Sequence, residues 1–103
     1  MVIVTTETIS GKKFETLGIV SGSMVQSKNA FKDIGAGLKS MVGGELVSYT
    51  KMLSEAREIA IQRMVAQAQQ MGADAVVCVR FSSSSVMQGA AEIMAFGTAV
   101  KFV

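Results

Sequence analysis

Ala75-Val76-Val77-Cys78-Val79-Arg80-Phe81 is the stretch that decides the fold. Its run from Ala75 to Val79 carries no charge, the pattern of a strand buried on both faces. On its N-terminal side, Tyr49, Leu53, Ala56, Ala60 and Met64 recur at helical spacing, and Met52 and Ile59 widen the stripe. Residues 46–71 are therefore expected as one long helix, started by Ser48 or Gly44 and closed by Gly72 as a left-handed cap. On its C-terminal side, residues 82–89 are polar and read as a turn. Residues 91–103 read as a second long strand, interrupted by Gly97.

The N-terminal half reads less sharply. Residues 1–6 and 14–26 are expected as strands, separated by the turn signal Ser10-Gly11-Lys12-Lys13. Gly18 and Gly22 inside the second of them mark a bulge or a close backbone approach. Phe31, Ile34, Leu38 and Met41 then form one helical stripe, so residues 28–41 are expected as a helix ended by Gly43-Gly44. The order is ββααββ in a single domain, residues 1–103. It implies an α+β fold, a small antiparallel or mixed sheet packed on one long helix. One helix covers one face of such a sheet. The simplest second cover is a neighbouring subunit, so a homo-oligomer is expected.

Composition excludes more chemistry than it suggests. Half of the 103 residues are apolar and only 17% are charged, a small proportion for covering a domain surface. Ten basic and eight acidic residues are scattered along the chain, with no basic stripe for nucleic acid. No apolar run approaches the ~20 residues that span a bilayer, and no signal peptide is readable, so a cytoplasmic protein without a membrane partner is expected. The lone cysteine fits a reducing compartment. There is no histidine, which removes the commonest general base and zinc ligand. Ser48-Tyr49-Thr50-Lys51 and Ser10-Gly11-Lys12-Lys13 have serine–lysine spacing, but they lack every companion motif of the enzymes that use it. A helix cap and a turn account for them. No activated nucleophile can be named, so a non-enzymatic protein is the first expectation, and an enzyme with a site shared between subunits, using Arg80, Lys28, Asp33 and Glu92, is the least favoured alternative.

Arg80 is the residue that asks most for an explanation. It follows an apolar strand run and precedes Phe81, so a guanidinium buried there needs a carboxylate. Glu92 is the first candidate, then Asp33 and Glu45. A small anionic ligand at a subunit junction is the functional reading, with Lys28 as a further cation and with Gly43 and Gly44 offering backbone N–H groups at a helix start. Cys78 reads as a core thiol, and as the residue to carry a soft metal ion if one binds. The eight methionines lack close Met-x-x-Met clustering and read as core or interface filling. No cofactor is expected beyond that alternative of a soft metal held by Cys78, methionine sulfur and carboxylates.

The chain also resembles the YbjQ-like family, uncharacterised bacterial proteins carrying a heavy-metal-binding label. The residues that carry the resemblance include Thr6-Glu7-Thr8-Ile9, Leu17-Gly18-Ile19-Val20-Ser21-Gly22, Gly43-Gly44-Glu45 and Glu55-Ala56-Arg57. Lys32-Asp33, where the family usually has Arg-Asp, Tyr49-Thr50, Gly72-Ala73-Asp74-Ala75-Val76-Val77, Val79-Arg80-Phe81, Gln88-Gly89 and Gly97-Thr98-Ala99-Val100 complete the ordered set. Where many members have Ala-Tyr-Gly-Thr, this chain has Ala95-Phe96-Gly97-Thr98 and so lacks that tyrosine hydroxyl. The resemblance implies a fold like that of dodecin subunits, assembled as a pentameric ring. It supplies no ligand set for a metal.

Overall fold

The structure is a computed structural model, and it describes residues 1–27, 41–42, 45–87 and 90–103. Strands β1 (Val2–Ile3) and β2 (Phe14–Ser27) open the chain. A two-residue pair follows, β3 (Met41–Val42) antiparallel to β4 (Glu45–Leu46). Helix α1 (Val47–Gln70) and strands β5 (Ala75–Met87) and β6 (Ala90–Phe102) complete it. The principal sheet has the order β1-β5-β6-β2, with β1 parallel to β5 and the other pairs antiparallel. Of the antiparallel and mixed sheets expected on one long helix, the observed sheet is the mixed one. The helix expected over residues 28–41 falls outside the described residues except for Met41, which lies in β3 and pairs with Leu46.

Helix α1 ends where its sequence says it should. Gly72 has φ +77°, and the amides of Gly72 and Ala73 donate to the carbonyls of Gln69 and Ala68, both at 3.0 Å. That is a left-handed cap that satisfies two terminal carbonyls. The buried face of α1 is narrower than the predicted stripe. Ala56, Ala60, Met64 and Ala68 are buried, while Leu53 keeps 39% of its surface. Small side chains let the helix sit close on β2 and β6. Gly22 is the point of closest approach: a Cβ there would meet the Ala60 carbonyl oxygen, the Met64 amide nitrogen and, at 2.7 Å, the Arg63 Cβ. Two side chains of α1 then grip the backbone of β2. Ser21 N–H donates to Gln67 Oε1 at 2.7 Å, and Arg63 Nη1 donates to the Ser23 carbonyl at 2.6 Å.

Residues 82–87 are strand, where the sequence suggested a turn. Ser82, Ser83, Ser84 and Ser85 stand opposite Met94, Ile93, Glu92 and Ala91 of β6. A strand partner supplies the backbone hydrogen bonds that a serine run would otherwise seek in a turn, so pairing overrides the local preference.

The sheet has two unequal faces. The helix face holds Val20, Val76, Val79, Ile93, Ala95 and Ala99. The opposite face is covered at one end by the chain's own N-terminal segment. There Val4, Ile9, Phe14 and Phe102 pack on Ala75, Val77 and Val100. The second cover expected from a neighbouring subunit is thus supplied in part from within the chain. Further along β2 on that face, Ile19 and Val25 keep 82% and 54% of their surface.

Candidate functional site

Residues 77–80 set the geometry around Arg80. Val77 stands opposite Thr98 and Arg80 opposite Phe96, so Cys78 and Val79 together face the single residue Gly97. This is a β-bulge, with Cys78 in the left-handed region at φ +56°. In an unbroken strand Arg80 would share a face with Val76, under the helix. The bulge reverses the alternation: Val79 enters the helix-side core and Arg80 turns to the outer face, where it is exposed. Gly97 permits this, because a Cβ there would lie 2.8 Å from Val76 Cγ1 and 2.9 Å from the Val77 carbonyl.

Within the single chain Arg80 is therefore exposed, and among the described residues it is not paired with a carboxylate, contrary to the expectation of a buried pair inside the subunit. Its Nη1 donates to the carbonyls of Thr5 and Val79, both at 2.9 Å. It ties the N-terminal segment to β5, beside the backbone bonds from Val4 N–H to Val76 and from Cys78 N–H to Thr6. Glu92 lies on the same face but is paired with Val25 and Ser84. It lies four positions along β6 from Phe96, about 13 Å along the strand, so it cannot reach Arg80 within the chain. Among the described residues the ion pair is instead Lys101 with Asp74, at 3.7 Å. Asp74 also accepts the Phe102 amide at 2.8 Å. Lys28, Asp33, Gly43 and Gly44 lie outside the described residues.

Cys78 is half-buried at its bulge, packed on Ala75, Val77 and Val100. The sequence reading placed it in a regular strand; its backbone is instead strained, because a left-handed conformation costs a non-glycine residue ~1–2 kcal/mol. Among the described residues no group of three or more cysteine, aspartate and glutamate side chains comes together to hold a metal. No helix of the described residues is long and apolar enough to cross a membrane.

One concave feature escaped the sequence reading. A cleft between the N-terminal half of α1 and the far end of the β5–β6 hairpin is lined by Leu53, Arg57, Phe81, Ser82, Ser83, Ala91 and Ile93. Leu53 belonged to the predicted helical stripe and Phe81 ended the apolar strand run, so the apolar half of the cleft had a signal. That these residues line one cleft depends on the packing of α1 against the hairpin, which residue order does not show.

A family model described as "Putative heavy-metal-binding", of the YbjQ type, matches residues 1–103. The chain is 62% identical over 104 residues to a UPF0145 protein of Methanosarcina acetivorans, covering 100% of this chain and 98% of that one. It is 59% identical to a UPF0145 protein of Vibrio parahaemolyticus, covering 100% and 99%, and 54% identical to one of Clostridium novyi, covering 100% of both. The first of these sources is an archaeon, which carries the similarity beyond the bacteria. A solved structure of a protein of unknown function from the DUF74 family of Pediococcus pentosaceus superposes with a TM-score of 0.70 at 12% identity. The match covers 100% of this chain and 98% of that one, and at such identity it shows the fold alone.

Proposed function

This chain belongs to the YbjQ-like family of UPF0145 proteins, and from that premise we propose that it works in the cytoplasm as a non-enzymatic homo-oligomer, a closed ring of five copies that binds a small anionic ligand. The observation that carries the assembly is the apolar surface left on the sheet. Ile19 at 82% and Val25 at 54% exposure lie on β2, and Val86 at 50% and Met87 at 67% lie at the far end of β5. Single exposed apolar residues are ordinary. Here half-buried Phe96 and Met94, opposite Ser21 and Ser23, stand between Ile19 and Val25 on one face. A run of that kind on a sheet face favours association. The edge of β5 supports the same reading. From Phe81 to Met87 it carries neither charge nor proline, the devices that keep strand edges from pairing with other chains. A repeated head-to-tail contact either closes or grows into a filament, and a soluble assembly has to close. Five is the number that the family resemblance implies.

Native mass spectrometry of untagged protein tests the assembly and reports any retained ligand together with it. We expect a single species of five chains. A stable 10.8 kDa monomer at micromolar concentration would overturn the proposal. A metal ion retained by the wild type and lost in Cys78→Ser would favour the family's heavy-metal description over the anionic ligand.

A further inference from the structure

We propose that the cleft between α1 and the β5–β6 hairpin binds a small amphiphilic monoanion, a carboxylate carried on an apolar chain. The inference rests on the ligand-binding half of the proposed function and is independent of the ring. The volume of the cleft is about 370 Å³, at the small end of the ~300–1,000 Å³ of small-molecule sites. Its walls are mostly apolar: Leu53 from the helix, and Phe81, Ala91 and Ile93 from the hairpin. Leu53 and Phe81 keep 39% and 47% of their surface, so an apolar ligand gains by covering them. Among the described residues, Arg57 is the one charged residue that lines the cleft, and no carboxylate does. Arg57 Nη2 donates to Ser54 Oγ at 3.1 Å. A guanidinium has five N–H donors in a planar fork, which leaves others for a carboxylate. Ser82 and Ser83 add small polar groups to the lining. A single cation suits a single negative charge, and the apolar walls select against inorganic phosphate or a sugar phosphate, which would leave them wet.

The test uses the uniformly 15N-labelled full chain, titrated with decanoate below its micelle concentration and, separately, with decanol as the uncharged tail. We expect decanoate to shift the amides of Leu53, Arg57, Phe81, Ser83 and Ile93, and to bind at least tenfold more tightly than decanol. Arg57→Gln removes an exposed charge and should keep the wild-type spectrum elsewhere. It should abolish the preference for decanoate and leave decanol binding unchanged. Shifts centred on Ile19, Val25 and Met94, or a preference that survives in Arg57→Gln, would overturn the proposal. So would cross-peaks in ligand-free protein that fill the cleft with side chains of a second copy. Native mass spectrometry of the same sample separates the two proposals: a monomer that binds decanoate at these residues sinks the ring alone.

Discussion

Replacing Gly22 by alanine adds one methyl group at the point where α1 lies closest to the sheet. That methyl would fall against the Ala60 carbonyl oxygen and the Met64 amide nitrogen, and 2.7 Å from the Arg63 Cβ. Ordinary carbon contacts are ~3.5–4.0 Å, so the helix must retreat by about 1 Å. All three obstacles are backbone or Cβ atoms, which cannot swing aside as the end of a side chain can. Forcing extra volume into a packed core costs ~1–3 kcal/mol. The retreat also stretches the bonds from Ser21 to Gln67 and from Arg63 to Ser23, each with a net contribution of ~1 kcal/mol. The sum is about 3–5 kcal/mol, against a typical domain stability of ~5–15 kcal/mol. At ~4–8 °C per kcal/mol, the melting temperature should fall by at least ~12 °C. The assay is urea and thermal unfolding by circular dichroism at fixed chain concentration, with amide exchange at Ser21 as a local readout. Gly11→Ala is the control. Gly11 has φ +73° and open space where its Cβ would go, so only backbone strain of ~1–2 kcal/mol is expected. If Gly22→Ala costs no more than Gly11→Ala, and Ser21 exchange is unchanged, the close approach of α1 is wrong.

The remaining predictions concern the bulge, the N-terminal tie, the outer face and the ion pair. Cys78→Val is favoured by strand propensity but should cost ~1–3 kcal/mol, because a β-branched residue fits poorly at φ +56°; Cys78→Gly should be milder, and the reverse ranking in urea unfolding would count against the bulge. Arg80→Met should cost about 1–2 kcal/mol, from the lost bonds to Thr5 and Val79. Hydrogen exchange should then speed up at Val4 and Cys78, whose amides bond across the same seam; a loss above ~3 kcal/mol would point to a buried charge partner instead. Ile19→Asp should leave the fold of the single chain intact and dissociate the assembly in sedimentation velocity, and an unchanged sedimentation coefficient would remove this face from the interface. Lys101→Met should change stability by less than ~1 kcal/mol, because its carboxylate partner lies 3.7 Å away, its bond to the Gly72 carbonyl is 3.3 Å long and both side chains of the ion pair are solvated; a larger loss by thermal melting would contradict that.

Much of the fold was legible in residue order alone because its signals are local. The 3.6-residue recurrence through Ala56, Ala60 and Met64 set the helix, and Gly72 set its end, since a left-handed cap needs only the residue that occupies it. Gly22 announced a close approach for the same reason: a missing Cβ is useful where another backbone arrives. What the tertiary structure decided is everything that depends on pairing between distant segments. Residues 82–87 became strand because β6 lies alongside them. Arg80 faces outward because two residues of β5 share one position on β6, and a single such insertion moves every later side chain to the other face. The cleft brings Leu53 of α1 together with Phe81 and Ile93 of the β5–β6 hairpin, a juxtaposition that no sequence spacing encodes.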